Sequence, residues 1–357
     1  MAERSYKSIK EQEIRAKITD IMCEMPEFIC DYINERGIRL TAYTLLGYTY
    51  KLKYFCEYLC ENHPAFKDKK VSELMPADFD NIKRRDIIAF INWMQRDKGR
   101  YSSSERELQA NTKKSIENYL SCLSAFWKKS CANGVLHQNP MLEIERPKLD
   151  KSDIVIHLNR DDKAKFMNTV EYGTGLSERE KKFHDKNQYR DAAICQLFLD
   201  TGARISELVG LNLKDLSFDE HCITVIRKGN KIQKLYFSDF TETYLQDYLS
   251  ERESKYKPAE NETALFLSRS GTRIGVRSLE KMVKKYVMAA GISENKPITP
   301  HKLRSTYAMD MYAATRDIEI VRSQLGHSSV ATTSIYAKAS DKSRIDVRNL
   351  INNMENE

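Results

Sequence analysis

The chain predicts a mainly α-helical protein with a small β-sheet, divided into two domains. Three observations carry this. Most of the 357 residues fall into stretches whose apolar positions recur at helical spacing. A single alternating run, Cys222-Ile223-Thr224-Val225-Ile226, is followed by a Gly229-Asn230 turn and Leu235-Tyr236-Phe237, which together read as a hairpin. Between residues 139 and 152, Asn139-Pro140, Pro147-Lys148 and Leu149-Asp150-Lys151-Ser152 form a charged, proline-marked stretch without helical period, and this reads as an interdomain linker.

Taken in order, residues 8 to 37 read as helix interrupted near Pro26, an N-terminal extension over 1–37. Residues 41 to 62 read as a long amphipathic helix rich in Tyr and Leu, with further helices at 84 to 98 and 110 to 133, the last ending at Asn133-Gly134. These make a helical domain over 38–142, with the linker at 143–157. Tyr43, Tyr48, Tyr50 and Tyr54 read as core packing, with stacking on sugars or bases as the alternative. Beyond the linker come helices at 160 to 171 and 188 to 201 flanking a polar insertion at 173 to 187. The hairpin follows, then helices at 239 to 254, 276 to 290, 301 to 315 and 317 to 325, and a short one carrying Tyr336. That second domain spans 158–340, with a tail at 341–357.

Charge and cysteine content narrow the function. Net charge is +7, with 25 basic against 22 acidic residues to position 150 and 33 against 29 beyond it. An excess this modest puts any nucleic-acid affinity in local patches: Lys67 to Lys70, Lys83-Arg84-Arg85, Arg96 to Arg100, Lys113-Lys114 and Lys128-Lys129. Five such clusters in one stretch suggest a DNA-facing surface, although charge runs are most often solvated faces. The eight cysteines contain no Cys-x-x-Cys pair and read as reduced packing residues. His221-Cys222 has no further ligand nearby in sequence, so no metal is expected. No Walker loop, dinucleotide glycine pattern or zincin motif is present, so no cofactor is expected either. The polar first ten residues do not read as a signal peptide, and no apolar run approaches the ~18 residues of a membrane span, which predicts a cytoplasmic protein with no membrane partner.

The chemistry concentrates at Arg204, His301, Arg304, His327 and Tyr336. A phosphodiester under attack becomes five-coordinate, and its non-bridging oxygens gain negative charge. Arginine presents a planar, permanently charged fork that holds two such oxygens. Removing one preorganised donor from such a site costs roughly 3–4 kcal/mol of transition-state stabilisation. A phenol titrates near ~10 and needs cations or a base to become a nucleophile, a need that histidines meet. His301 and Arg304 stand three apart, on one face of a helix; Arg204 and Glu207 repeat the spacing.

Five segments carry a resemblance: Thr-Gly-Ala-Arg-Ile-Ser-Glu-Leu at 201 to 208, Ile-Arg-Lys-Gly-Asn-Lys at 226 to 231, Thr-Pro-His-Lys-Leu-Arg-Ser-Thr at 299 to 306, Gln-Leu-Gly-His-Ser-Ser at 324 to 329 and Thr-Thr-Ser-Ile-Tyr at 332 to 336. In these the chain resembles the tyrosine recombinases, the phage integrase and Xer family, strongly over residues 155 to 340 and in general layout before that. The resemblance implies a helical core-binding (SAM-like) domain followed by a tyrosine recombinase catalytic domain, closing on a duplex from opposite sides. It implies Tyr336 as covalent nucleophile, Arg204 and Arg304 as phosphate clamp, and His301 and His327 as proton-handling or phosphate-binding partners. Lys228 would be the general acid, with Arg227, Lys231 and Lys234 as competing cations beside it, and Glu207 a supporting carboxylate. Ser305 stands where relatives often carry a second histidine and touches no expected catalytic role.

The implied activity is site-specific DNA strand exchange of the integrase or excisionase type through a 3′-phosphotyrosine. The alternatives are a type IB topoisomerase-like relaxing enzyme and a non-catalytic DNA-binding regulator on the same fold. The implied partners are double-stranded DNA recombination sites and further copies in a tetramer on two sites, with room for accessory DNA-bending proteins. The tail stripe Ile345, Val347, Leu350 and Ile351 would dock on its own domain or on a neighbouring protomer. The N-terminal extension points toward a mobile element; integrase, chromosome or plasmid resolvase and inversion switch all stay open.

Overall fold

A computed structural model describes residues 6–96, 112–148, 155–227, 231–292, 297–326 and 330–338. The chain divides into two compact units, Met1–Lys151 and Ser152–Glu357.

The first unit is all helical: α1 (Tyr6–Met22), α2 (Glu27–Gly37), α3 (Ala42–Asn62), α4 (Pro76–Asp80), α5 (Arg84–Arg96) and α6 (Lys113–Ala132). Pro26 stands immediately before α2, where its fixed φ and missing N–H end one helix and start another. The Thr41 and Thr112 hydroxyls accept from the Thr44 and Ser115 N–H groups and so cap α3 and α6. Phe55, Phe79, Phe90, Phe126 and Trp127 are fully buried, with ring centroids 5.0–6.2 Å apart and largely edge to face. Ile14, Ile18, Ile29 and Ile33 of α1 and α2 join the same core. Of the four tyrosines, Tyr54 is buried in that core, Tyr48 is packed against it, and Tyr43 is exposed. Lys67, Lys70, Lys83, Arg84, Arg85, Lys113, Lys114 and Lys128 are exposed, whereas Lys69 and Lys129 are engaged by Asp78 at 2.7 Å and Glu35 at 2.6 Å. Residues 97–100 of the Arg96 cluster and residues 149–154 of the linker lie outside the described residues.

The second unit contains α7 (Arg160–Tyr172), α8 (Glu178–His184), α9 (Gln188–Thr201), α10 (Ile205–Gly210), β1 (Leu216–Ser217), β2 (Cys222–Ile226), β3 (Ile232–Tyr236), α11 (Asp239–Tyr256), α12 (Val276–Ala289), α13 (Pro300–Thr315), α14 (Ile318–Leu325) and α15 (Val330–Lys338). The polar insertion at 173 to 187 thus contains a helix; Ser177 and Glu180 form a reciprocal capping box at its start. The sheet is antiparallel in the order β1-β2-β3, with Ile223 opposite Leu235 and Ile226 opposite Ile232. Helix α9 is buried nearly all round, from Ala192 and Ala193 to Phe198 and Leu199, and packs on α7, α11 and α13. Its polar start is paid for locally: the Arg190 guanidinium donates twice to Asp191 Oδ1 and once to the Leu267 carbonyl, and the Tyr286 hydroxyl donates to Asp191 Oδ2 at 2.8 Å. All eight cysteines are free, and Cys56, Cys122, Cys195 and Cys222 are buried. Among the described residues no helix is long and apolar enough to cross a membrane.

Candidate active site

The site begins where α9 stops. Gly202 takes the left-handed conformation, φ 59°, and the Tyr307 ring lies so close over it that a Cβ would collide. The turn delivers Arg204 immediately before α10. There the Glu207 carboxylate accepts the Arg204 backbone N–H through Oε2 and its Nη1 through Oε1, both at 2.8 Å. The spacing of three therefore works as a helix-start bridge, with Arg204 in extended backbone, and not as the shared helix face expected from sequence. The Glu207 side chain is 6% exposed, while the Arg204 side chain keeps 39% exposure.

Arg304 sits one turn into α13 and is 2% exposed. Its Nη1 donates to the Gly202 carbonyl at 2.5 Å and its Nη2 to the Leu325 carbonyl, so the guanidinium closes the C-terminal ends of α9 and α14. Those carbonyls lack intrahelical partners and carry the negative end of each helix dipole, which suits a cation. Burial, then the charge of Arg204, lowers the Arg304 pKa to about 10, which leaves it protonated at neutral pH. His301, a turn earlier, is exposed. Desolvation, then the charges of Lys302, Arg304 and Arg204, push its imidazole below the ordinary histidine value and favour the neutral form.

Tyr336 lies on α15, 4% exposed, packed with Ala308, Val321 and Leu325. Burial raises its phenol pKa above the usual 10, while a hydrogen bond with Ser305 and the charge of Arg304 pull it down. Arg204, Glu207, Arg304 and Tyr336 are thus linked by contact or charge, and His301 by charge. Lys228 and His327, like residues 341–357, lie outside the described residues.

Two side chains beside these residues went unassigned in the sequence. Ser305, read as touching no expected role, opposes the rise of the Tyr336 phenol and donates to the His301 carbonyl at 3.2 Å. Arg227, weighed only as a competitor of Lys228, is buried beside Glu207, its Nε 3.7 Å from Oε1. The signal for Ser305 was its place next to Arg304; nothing local marks Arg227. Away from this site, His221 gains neighbours that sequence distance concealed. Glu242 and Asp239 approach its Nδ1 to 3.0 and 3.5 Å, an exposed ion-pair group at the start of α11.

A family model described as the phage integrase family matches residues 158–343, more than half of the chain. The chain belongs to the phage integrase family of tyrosine recombinases. A phage integrase SAM-like domain matches residues 25–146. Tyrosine recombinase XerS of Streptococcus thermophilus (strain CNRZ 1066) is 30% identical over 349 residues, covering 92% of this chain and 96% of that protein. XerS of Lactococcus lactis subsp. cremoris (strain MG1363) is 29% identical over 350 residues with the same coverage. Among solved structures, the Tn1549 transposon integrase in complex with circular intermediate DNA superposes with TM-score 0.62 at 20% identity, covering 86% of this chain and 92% of that one. A lambda integrase dimer bound to a core site gives 0.60 at 17% identity, covering 87% and 94%. The mainly helical fold with its small sheet is that of this family, and the chain is a site-specific DNA recombinase.

Proposed function

We propose that this recombinase breaks and rejoins DNA through Tyr336, whose phenolic oxygen attacks the scissile phosphorus. A 3′-phosphotyrosine bond forms as the bond to the 5′ oxygen breaks. The released 5′-hydroxyl of a partner strand then attacks that link, freeing the tyrosine, so the number of phosphate ester bonds is conserved and no energy source is needed. Arg204 and Arg304 clamp the non-bridging oxygens and Glu207 orients Arg204. His301 and His327 take up the phenol proton or bind phosphate, and Lys228 protonates the leaving 5′ oxygen. What supports the reading above all is the pairing of Arg304 with Tyr336: a buried guanidinium pinned by two helix ends, whose charge acts on a buried phenol.

In this reading residues 38–142 bind one side of the core site, residues 158–340 carry catalysis, and four copies assemble on two duplexes, with the 341–357 tail exchanged between neighbours. Accessory DNA-bending proteins would assist assembly, and the reaction takes place in the cytoplasm.

The test is to incubate the protein with nicked suicide duplexes from its own genomic surroundings, recover the covalent adduct, sequence the DNA and locate the bond by mass spectrometry. The adduct is expected on Tyr336 and lost in Tyr336→Phe. A bond on another residue, or no adduct from any duplex, overturns the reading. Relaxation of site-free supercoiled plasmid without recombinants would mark a topoisomerase instead.

A further inference from the structure

Arg227 is a buried arginine whose guanidinium has no hydrogen-bond partner among the described residues. Its backbone N–H continues the β2-β3 ladder by donating to the Lys231 carbonyl at 2.8 Å, so the strand alone would hold the residue whatever its side chain. Yet the side chain turns inward, 6% exposed, and none of its three guanidinium nitrogens has a hydrogen-bond partner among the described residues. Among the described residues its opposite charge is Glu207, 3.7 Å from Nε, and Glu207 Oε1 is already held by Arg204 at 2.8 Å. On its other side the Arg227 side chain lies close against Gly326, whose left-handed turn ends α14; any side chain there would run into it. An unsatisfied buried cation is among the costlier things a protein interior can keep.

Counting charge suggests why it is kept. Arg204, Arg227 and Arg304 surround one carboxylate, Glu207, which leaves two positive charges in excess among the described residues. A phosphodiester under attack by phenolate carries two negative charges until its leaving oxygen is protonated. With Arg227 absent, Glu207 would neutralise Arg204 more fully, and the clamp would face that dianion with half the excess. In a partly desolvated site such a charge acts over several ångströms without contact.

Resting on the reading of Tyr336 and the arginine clamp given above, we infer that Arg227 is a positioning residue for strand cleavage: it offsets the Glu207 carboxylate so that the full charge of Arg204 remains available to the scissile phosphate. The hairpin thus contributes an interior cation to the reaction besides whatever its tip contributes.

The experiment compares wild type, Arg227→Gln and Arg227→Lys in single-turnover cleavage of the trapped duplex. The scissile position carries either the native phosphate or a methylphosphonate, in which one charged oxygen is replaced by a neutral methyl. Arg227→Gln should cleave the phosphate about 100-fold more slowly than wild type while binding the duplex normally, and Arg227→Lys, which keeps the charge, about 10-fold more slowly. On the methylphosphonate the deficit of Arg227→Gln should shrink to about 3-fold, because less charge needs compensating. A purely structural role would leave the same deficit on both esters. That result, or wild-type rates for Arg227→Gln on the phosphate, overturns the inference. If Arg227→Gln fails to fold, Arg227→Lys carries the test, and a deficit equal on the two esters overturns it likewise. Failure of wild type to form an adduct on the native phosphate would strike the Tyr336 reading and this inference with it, whereas a deficit confined to the Arg227 variants and equal on both esters strikes this inference alone.

Discussion

Ser305 on α13 and Tyr336 on α15 are both 4% exposed, and Ser305 works against the burial that raises the Tyr336 phenol. The Ser305 hydroxyl donates to the His301 carbonyl one turn back. A hydroxyl has one proton and two lone pairs, so Ser305 can accept from the phenol while bonded to His301 and rotate to donate once the phenol has ionised.

Removing that donor should raise the Tyr336 pKa further above its ordinary value, since burial already raises it and Ser305 opposes the rise. Ser305→Ala is expected to cleave about 10-fold more slowly at neutral pH, the equivalent of ~1.4 kcal/mol for a lost hydrogen bond, with its rate rising toward higher pH than wild type. Single-turnover rates across pH check this; an unshifted profile would sink it.

His301 gives a second pH handle. Its imidazole titrates below the usual histidine value because of desolvation first and then the charge of Lys302. The neutral form therefore survives to lower pH than in a free histidine. Lys302→Gln removes one cation, so the His301 pKa must rise, and the acid limb of the cleavage profile should move to higher pH. Rates are to be taken at saturating duplex, where lost DNA affinity drops out; a limb that stays put or moves down would contradict the assignment.

Arg304 is expected to serve both catalysis and stability. Arg304→Lys keeps a charge but cannot span the carbonyls of Gly202 and Leu325 with one planar fork. Cleavage should fall about 10²–10³-fold. The orphaned helix-end carbonyls should also cost about 1–3 kcal/mol, read as a lower urea midpoint. Slower cleavage with an unchanged midpoint would mean that the two carbonyl bonds do not hold the fold.

Gly202→Ala tests the turn that delivers Arg204. The left-handed φ of 59° and the overlying Tyr307 ring both oppose a side chain. About 1–3 kcal/mol of stability should be lost, together with much of the activity, because Arg204 begins two residues later. Wild-type melting and cleavage would refute the requirement for glycine.

Much of this was readable along the chain. The long helices, the hairpin and the Arg204, His301, Arg304 and Tyr336 positions follow from spacing, since helical and strand periods and capping signals act within a few residues. The short helices α4, α8 and α10 were harder because one or two turns hold too few periodic positions. Only capping signals marked them, such as Pro76 at the start of α4 and the Ser177–Glu180 pair before α8. The misread Arg204–Glu207 pair shows the same limit, since a separation of three suits a helix face and a helix start equally well.

Taken alone, the sequence determined which candidate groups stand in the chain and in what order, because residue type and local period are written in consecutive positions. Tertiary structure alone decided that Ser305 of α13 bears on Tyr336 of α15 and that Arg227 shares Glu207 with Arg204. These contacts arise where α13 meets α15 and where β2 meets the start of α10. Hydrophobic burial drives such packing between segments far apart in the chain, without direction or period, and so leaves no local mark at the polar residues it brings together.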